Sequence, residues 1–269
     1  MILLKSESEI DKMRVAARLV SRTLGEISKY IEPGVETGKL DILAEEFIRK
    51  NNARPAFKGY GDWRNPFPAT LCISVNDEVV HGIPGSRILQ DGDIVSVDCG
   101  IEKDGYFGDH AYTFICGDTG DEVKHLLKTT LESLYKGIAK AIHGNYTGDI
   151  GAAVQSHCEK EKFGVVRDLV GHGIGKNLHE DPSVPNFGRP GKGKRLRSGM
   201  GLAIEPMINM GTWKIKTDQD GWTIRTADGS LSAHFEHDVI VREGEAEILS
   251  TFDYIAELSK NQRQTEYHG

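Results

Sequence analysis

The 269-residue chain is poor in cysteine and aromatic residues and has no long apolar run. Its four cysteines, Cys72, Cys99, Cys116 and Cys158, form no Cys-x-x-Cys pair. They read as reduced thiols of a cytoplasmic protein, not as a disulfide framework. No apolar stretch approaches the roughly 20 residues needed to cross a bilayer. The opening MILLKSESEIDKMR becomes charged too early for a signal peptide, so no membrane partner is expected. Positive charge is also scarce: 33 Lys+Arg against 40 Asp+Glu leave a formal net charge of −7. The one basic cluster, Lys192–Arg197, is expected to be a solvated loop, and no nucleic-acid site is expected. The length suffices for one large domain or two small ones with ample core.

What the chain does have is acid inside apolar strands. Asp98 in IVSVDCG, Asp109 in YFGDHAYTF, Glu205 in LAIEPM and Glu236 in SAHFEHDVIV each sit in a strand-like run of apolar and small residues. His172 lies among glycines in VGHGIG, where the backbone approaches something closely. An ionised carboxylate inside a domain costs on the order of several kcal/mol unless a cation accompanies it. Four aimed at one spot raise each other's pKa, and two divalent cations would cancel their combined charge of about −4. One imidazole beside four carboxylates suits Co²⁺, Mn²⁺, Fe²⁺ or Zn²⁺. The five residues read as the ligand set of a two-metal hydrolase.

The chain also repeats itself. A capping box at Ser6-x-x-Glu9 predicts a first helix with the stripe Ile10, Met13, Ala17, Val20, Leu24, Ile27 and Ile31, stopping at Pro33-Gly34. A second helix is expected from Thr37 to about Asn52. A second box, Thr119-x-x-Glu122, predicts a third helix with Val123, Leu127, Leu131, Leu134, Ile138 and Ile142 on one face, and a fourth starts at Thr147. Thr37-Gly38 and Thr147-Gly148 stand 110 residues apart, and Asp91–Asp98 aligns with Ser198–Glu205 at an offset of 107. His81-Gly82-Ile83-Pro84 aligns with His179-Glu180-Asp181-Pro182 at an offset of 98. Matches in the same order, too far apart for a solenoid, predict one α/β half duplicated into two.

On a strand Asp98 shares its face with Ser96, and Glu205 with Ala203, small neighbours that leave room for ions. The expected fold is α+β: a central curved antiparallel sheet with helices outside, its halves related by a pseudo-twofold axis that gathers the four acids. A single domain over 1–252 is expected, with halves of about 1–118 and 119–252 and a polar tail, 253–269, that frays. His81 and His179, at matching positions, are expected to flank the metals and to contact the substrate amide and a developing oxyanion.

The pieces NDEVVHGIP, DGDIVSVDCG, GHGIGKNLHEDP, IEPM and GWTIRTADGSLSAHFEHDVIV, in this order over about residues 3–250, resemble the bacterial type I methionine aminopeptidases, which have the pita-bread fold. The resemblance implies that Asp98 chelates one metal, that His172 and Glu205 hold the other, and that Asp109 and Glu236 bridge the two. It implies a metal-activated water whose proton Glu205 carries to the leaving amine, with His179 at the oxyanion and His81 on the leaving-group side. By position Tyr60, Phe67, Cys72 and Trp222 match the methionine-lining residues, and Asn76 and Ser232 match a monovalent-cation site. The implied substrate is the N-terminal methionine of nascent polypeptides, removed near the ribosome by a monomer when the second residue is small.

The chain departs from the commoner Gly-Tyr-x-Gly-Tyr-Pro form at Gly61–Pro66, which reads as a short insertion, and at Leu178, where many relatives have Phe. Glu205 and Glu236 lie 31 residues apart, leaving no room for the helical insertion of type II enzymes. Prolidases and aminopeptidases P use similar ligands but usually carry an extra domain before the first, whereas 97 residues precede Asp98 here. A binding protein of this fold without metals is the other alternative, and the presence of all five ligands argues against it.

Overall fold

A computed structural model describes residues 2–255, so most of the polar tail, from 256 on, lies outside the described residues. The helices are α1 (Glu7–Ile27), α2 (Thr37–Lys50), α3 (Asp121–Ile138) and α4 (Thr147–Lys160). The strands of the first part are β1 (Arg54–Pro55), β2 (Leu71–Val75), β3 (Glu78–Val80), β4 (Ile94–Lys103) and β5 (Tyr106–Ile115). After α4 come β6 (Gly164–Val165), β7 (Gly171–Gly173), β8 (Glu180–Val184), β9 (Gly201–Ile204) and β10 (Met207–Asn209). The last are β11 (Ile215–Thr217), β12 (Ile224–Thr226), β13 (Ser232–His234), β14 (His237–Ile240) and β15 (Glu247–Ile248).

At the start of α1 the Ser6 N–H donates to Glu9 Oε2 at 2.9 Å, satisfying a backbone donor the helix leaves free. Ile10, Met13, Ala17, Val20, Leu24 and Ile27 are fully buried, as the periodicity requires. The helix ends before Pro33, however. Ser28 Oγ donates to the Gly25 carbonyl at 2.9 Å, and the chain tightens into a 3₁₀ turn over Ser28–Tyr30. The third helix likewise stops at Ile138, followed by shorter-range bonds from Lys140 N to Gly137 O and from Ala141 N to Ile138 O, each 2.9 Å. Its N-cap is Gly120, not Thr119. The Gly120 carbonyl accepts from Val123 and Lys124, while Asp121 and Glu122 complement the positive end of the helix.

The duplication appears as repeated hydrogen bonds. Gly34, Thr37 and Gly38 donate their N–H groups to the carbonyls of Leu89, Arg87 and Gly85 at 2.8, 2.9 and 2.8 Å. Gly144, Thr147 and Gly148 donate to Leu196, Lys194 and Lys192 at 3.0, 2.9 and 2.9 Å. Donors are shifted by 110 and acceptors by 107, the two offsets read from the sequence. The turn after each long helix is thus bonded to the segment that leads into β4, which carries Asp98, or into β9, which ends next to Glu205.

All strand pairings are antiparallel, but the expected central sheet is divided into four hydrogen-bonded pieces among the described residues. One joins β1, β2, β4 and β5, and another joins β15, β14, β9, β7 and β8. The physical reason is local. Ile204 pairs with His237 and Met207 with His234, leaving Glu205-Pro206 facing Phe235-Glu236 outside the ladders. Pro206 has no N–H to donate. The Glu236 N–H turns instead to the Ala111 carbonyl on β5 at 3.0 Å, which ties the two larger sheets together. The breaks thus fall at two residues singled out as ligands.

Candidate metal centre

Where the two larger sheets meet, a cavity of about 130 Å³ is lined by Asp98, Asp109, His172, Glu205 and Glu236, by His81 and His179, and by Tyr60, Phe67, Cys72 and Trp222. These are all the metal, catalytic and pocket residues expected from the sequence, and the structure adds Phe57. Asp98 opposes Ala111 across β4 and β5 while Asp109 opposes Gly100, so the two carboxylates sit diagonally on one face. His172 opposes Ala203 on β9, two residues from Glu205. Its flanking glycines have a steric cause. A Cβ on Gly171 would lie 2.4 Å from the Ala203 carbonyl oxygen, and one on Gly173 would lie 2.3 Å from that of Asp181. Only glycine lets β7 fit so closely between its neighbours. Asn76 and Ser232 are also brought together, outside the cavity lining: the Ser232 N–H donates to the Asn76 carbonyl at 2.9 Å.

The His172 ring is oriented for ligation. Its Nδ1 lies 2.9 Å from the Gly173 carbonyl, which can only accept, so Nδ1 carries the hydrogen. The free Nε2 faces Glu205 Oε1 at 3.6 Å and Asp109 Oδ2 at 3.7 Å. Burial, with His179 adding to it, lowers the His172 pKa to about 3, so the ring is neutral. Burial raises Asp98 to about 7 and Glu205 to about 8. Asp109 and Glu236 are pushed well above the carboxylate range, first by burial and then by the surrounding acids.

The two flanking histidines are held differently. His81 takes a left-handed backbone, φ 59°, uncommon for a residue with a side chain. The following Gly82 secures it, accepting from Ile73 N at 2.9 Å and donating to Ser74 Oγ at 3.0 Å. His179 stands beside His172 with ring centroids 4.1 Å apart, and its Nδ1 is 2.6 Å from the Tyr60 hydroxyl.

Sequence reasoning missed three residues. His234 is 1% exposed; neither ring nitrogen has a hydrogen-bond partner, and Nε2 lies 3.7 Å from Glu205 Oε2. Asp238 Oδ2 accepts the Asp109 N–H at 2.8 Å, while its Oδ1 is buried without a partner. The sequence pattern carried the signal for both, since 234, 236 and 238 would share a face if the run were one continuous strand. Phe57 had none; it packs with Phe67, Cys72 and Leu178, so the departure at Leu178 lies in the apolar cluster behind the lining residues.

Residues 11–243 match metallopeptidase family M24. The chain belongs to that family. It is 53% identical over 251 residues to a methionine aminopeptidase of Clostridium perfringens, covering 93% of this chain and 99% of that one. With the methionine aminopeptidase of Clostridium acetobutylicum the identity is 51% over the same shares. The crystal structure of a methionine aminopeptidase from Thermotoga maritima superposes with a TM-score of 0.90 at 45% identity, covering 93% of this chain and all of that one. The M24 fold is the α+β pita-bread arrangement, as the sequence motifs implied.

An M24 enzyme uses divalent metal, and the residues present fit it. Ligand atoms of Asp109, His172 and Glu236 lie within 4.8 Å of one another. Asp98 Oδ1 and Glu236 Oε1 are buried with no hydrogen-bond partner, a costly state that cations would relieve. This has a pH consequence. In chelator-stripped protein Asp98 and Glu205, raised to about 7 and about 8, hold protons that the unfolded chain releases near pH 4. Their contribution to stability is complete below about pH 4 and is lost as pH rises through the folded values. Metal needs the deprotonated ligands, so it opposes this loss. The Tm difference between metal-saturated and stripped protein should therefore widen from pH 5 to pH 8. A constant or narrowing difference would contradict the assignment of the acids to the metals.

Proposed function

We propose that this M24 metallopeptidase removes the N-terminal methionine from peptides and nascent proteins whose second residue is small. The observation that carries the reading is one cavity joining the acid and imidazole cluster to an apolar slot of Phe57, Phe67, Cys72 and Trp222. Aromatic edges and a thiol suit an unbranched thioether side chain. Asp98 would serve one of two divalent ions, His172 with Glu205 the other, and Asp109 with Glu236 both. Such ions supply Lewis acidity and lower the pKa of a bound water. The protein's own groups do the rest. The acid cluster accepts a free α-amine, which only the first residue of a chain possesses. The Glu205 carboxylate relays a proton to the leaving amine, His179 donates to the developing oxyanion, and His81 contacts the leaving-group side.

The same reading takes the chain as a monomeric cytoplasmic enzyme of two related halves, about 1–118 and 119–252, acting near the ribosome. It places a monovalent cation near Asn76 and Ser232. The identity of the divalent ions follows from metal analysis of protein purified without chelator or added metal.

The test is a comparison of peptides. A cavity closed around methionine leaves little clearance past the scissile bond, so kcat/KM on Met-Ala peptides should exceed that on Met-Lys peptides by about 10- to 200-fold, the range that steric mismatch in a pocket supplies. Equal efficiency would refute the small-residue rule. Cleavage of Ala-Pro in place of Met-Ala would move the chain to the prolidase reading.

A further inference from the structure

We infer that the inserted segment Gly61–Pro66 is a subsite for substrate residues beyond the scissile bond, with the Trp63 indole as its apolar contact; this rests on the aminopeptidase reading above. The segment rises from two cavity-lining residues. The Phe67 N–H donates to the Tyr60 carbonyl at 2.8 Å, and the Gly59 N–H donates to the Phe67 carbonyl at 2.8 Å, closing the base of the loop. The tip is a tight turn in which the Asn65 N–H donates to the Asp62 carbonyl at 2.9 Å. Asp62 Oδ1 accepts from Arg64 N at 3.0 Å and Arg64 Nε at 3.1 Å, so the two charges of the loop satisfy each other.

The loop is also fastened across the cavity to the segment that carries Trp222. Asn65 Nδ2 donates to the Asp220 carbonyl at 3.0 Å, and Trp222 Nε1 donates to the Asn65 carbonyl at 3.0 Å. A Cβ on Gly61 would fall 2.6 Å from the Trp222 ring, so loop backbone lies directly on that ring. The insertion therefore forms the rim of the cavity.

None of these contacts uses Trp63, which is 85% exposed. Tryptophan and tyrosine are enriched where partners are met, and Trp63 stands on a held loop that rises from Tyr60, itself 41% exposed and lining the cavity. The partner follows from the position. With Tyr60 partly exposed at the base of the loop, the rim is placed to meet a peptide whose first side chain occupies the cavity. Trp63 lies three positions after Tyr60, a span of at most about 10 Å at 3.3–3.6 Å per residue. The indole is thus within reach of the third and fourth residues of an extended substrate. With no unpaired charge on the loop, apolar and aromatic side chains are the ones it would favour.

The experiment compares the metal-loaded enzyme on Met-Ala-Phe-Phe-Gly and Met-Ala-Gly-Gly-Gly. The wild-type protein should favour the aromatic peptide about three- to tenfold in kcat/KM, as expected for one aromatic contact, with the difference residing in KM. Trp63→Ala should bring the ratio to about one, and Trp63→Phe should restore most of it. An unchanged ratio in Trp63→Ala, or no preference in the wild-type protein, would overturn this inference alone. Cleavage of neither peptide by the wild-type protein would overturn the aminopeptidase reading and this inference with it.

Discussion

Asp109→Ala should leave a folded protein that holds neither metal and has no detectable aminopeptidase activity, and Glu236→Ala should do the same. On the proposed assignment each carboxylate would serve two ions, and their atoms lie within 4.8 Å of one another and of His172. Removing either therefore disables both positions, whereas Asp98→Ala should mainly weaken one. The stability effect should run opposite to the activity effect. Burial, and after it the surrounding acids, push the Asp109 carboxyl well above the usual range. Without metal this carboxyl must either keep a proton or bear the cost of a desolvated charge among acids, and deleting it removes that cost, the trade of stability for activity expected at such sites. The backbone bond from Asp109 N to Asp238 survives the substitution. Stripped Asp109→Ala should thus melt no lower than the stripped wild-type protein. Metal analysis and thermal unfolding on the same preparation check both halves. Two tightly held ions with normal turnover would refute the ligand assignment.

The metal centre was legible because it contradicts its surroundings. Asp98 between Val97 and Cys99 has no structural reason to be an acid, and no local rule of strand formation accounts for it. The repeat was legible for a different reason. The turns at Thr37-Gly38 and Thr147-Gly148 require the same backbone bonds, so they retain the same residues. Less legible was everything decided between distant strands. That Glu205-Pro206 faces Phe235-Glu236 in a gap depends on which carbonyl the Glu236 N–H reaches, and Ala111 lies more than a hundred residues earlier in the chain. His234 and Asp238 belong to the same class. Their alternation with Glu236 was visible, but their functional relevance depends on Glu205 and Asp109 arriving beside them from other strands. Helix ends were missed for a smaller reason. Apolar periodicity continues into a 3₁₀ turn, so Ile31 looked like a helical position although α1 ends at Ile27.

Mutation of His179 separates catalysis from metal binding. The ring lies at the cavity mouth, 4.1 Å centroid to centroid from His172, and desolvation holds its pKa below the usual histidine value. The ring is therefore neutral and has one hydrogen to place. The Tyr60 hydroxyl, 2.6 Å from Nδ1 and with its own pKa raised by burial, is the natural donor in that contact. The hydrogen of His179 is then on Nε2, free to donate to an oxyanion. His179→Ala should lower kcat by about 10²–10³-fold, about 2.7–4 kcal/mol, the cost of one oxyanion donor. KM should move far less, because the bond strengthens mainly in the transition state. Metal content and Tm should stay at wild-type values. Tyr60→Phe should give a smaller fall in kcat, since it frees the tautomer without removing the ring. His81→Ala, which the proposed function puts on the leaving-group side, should alter kcat and KM together. Loss of a stoichiometric metal in His179→Ala would make the residue a ligand, and an unchanged kcat with both metals in place would leave it no catalytic role.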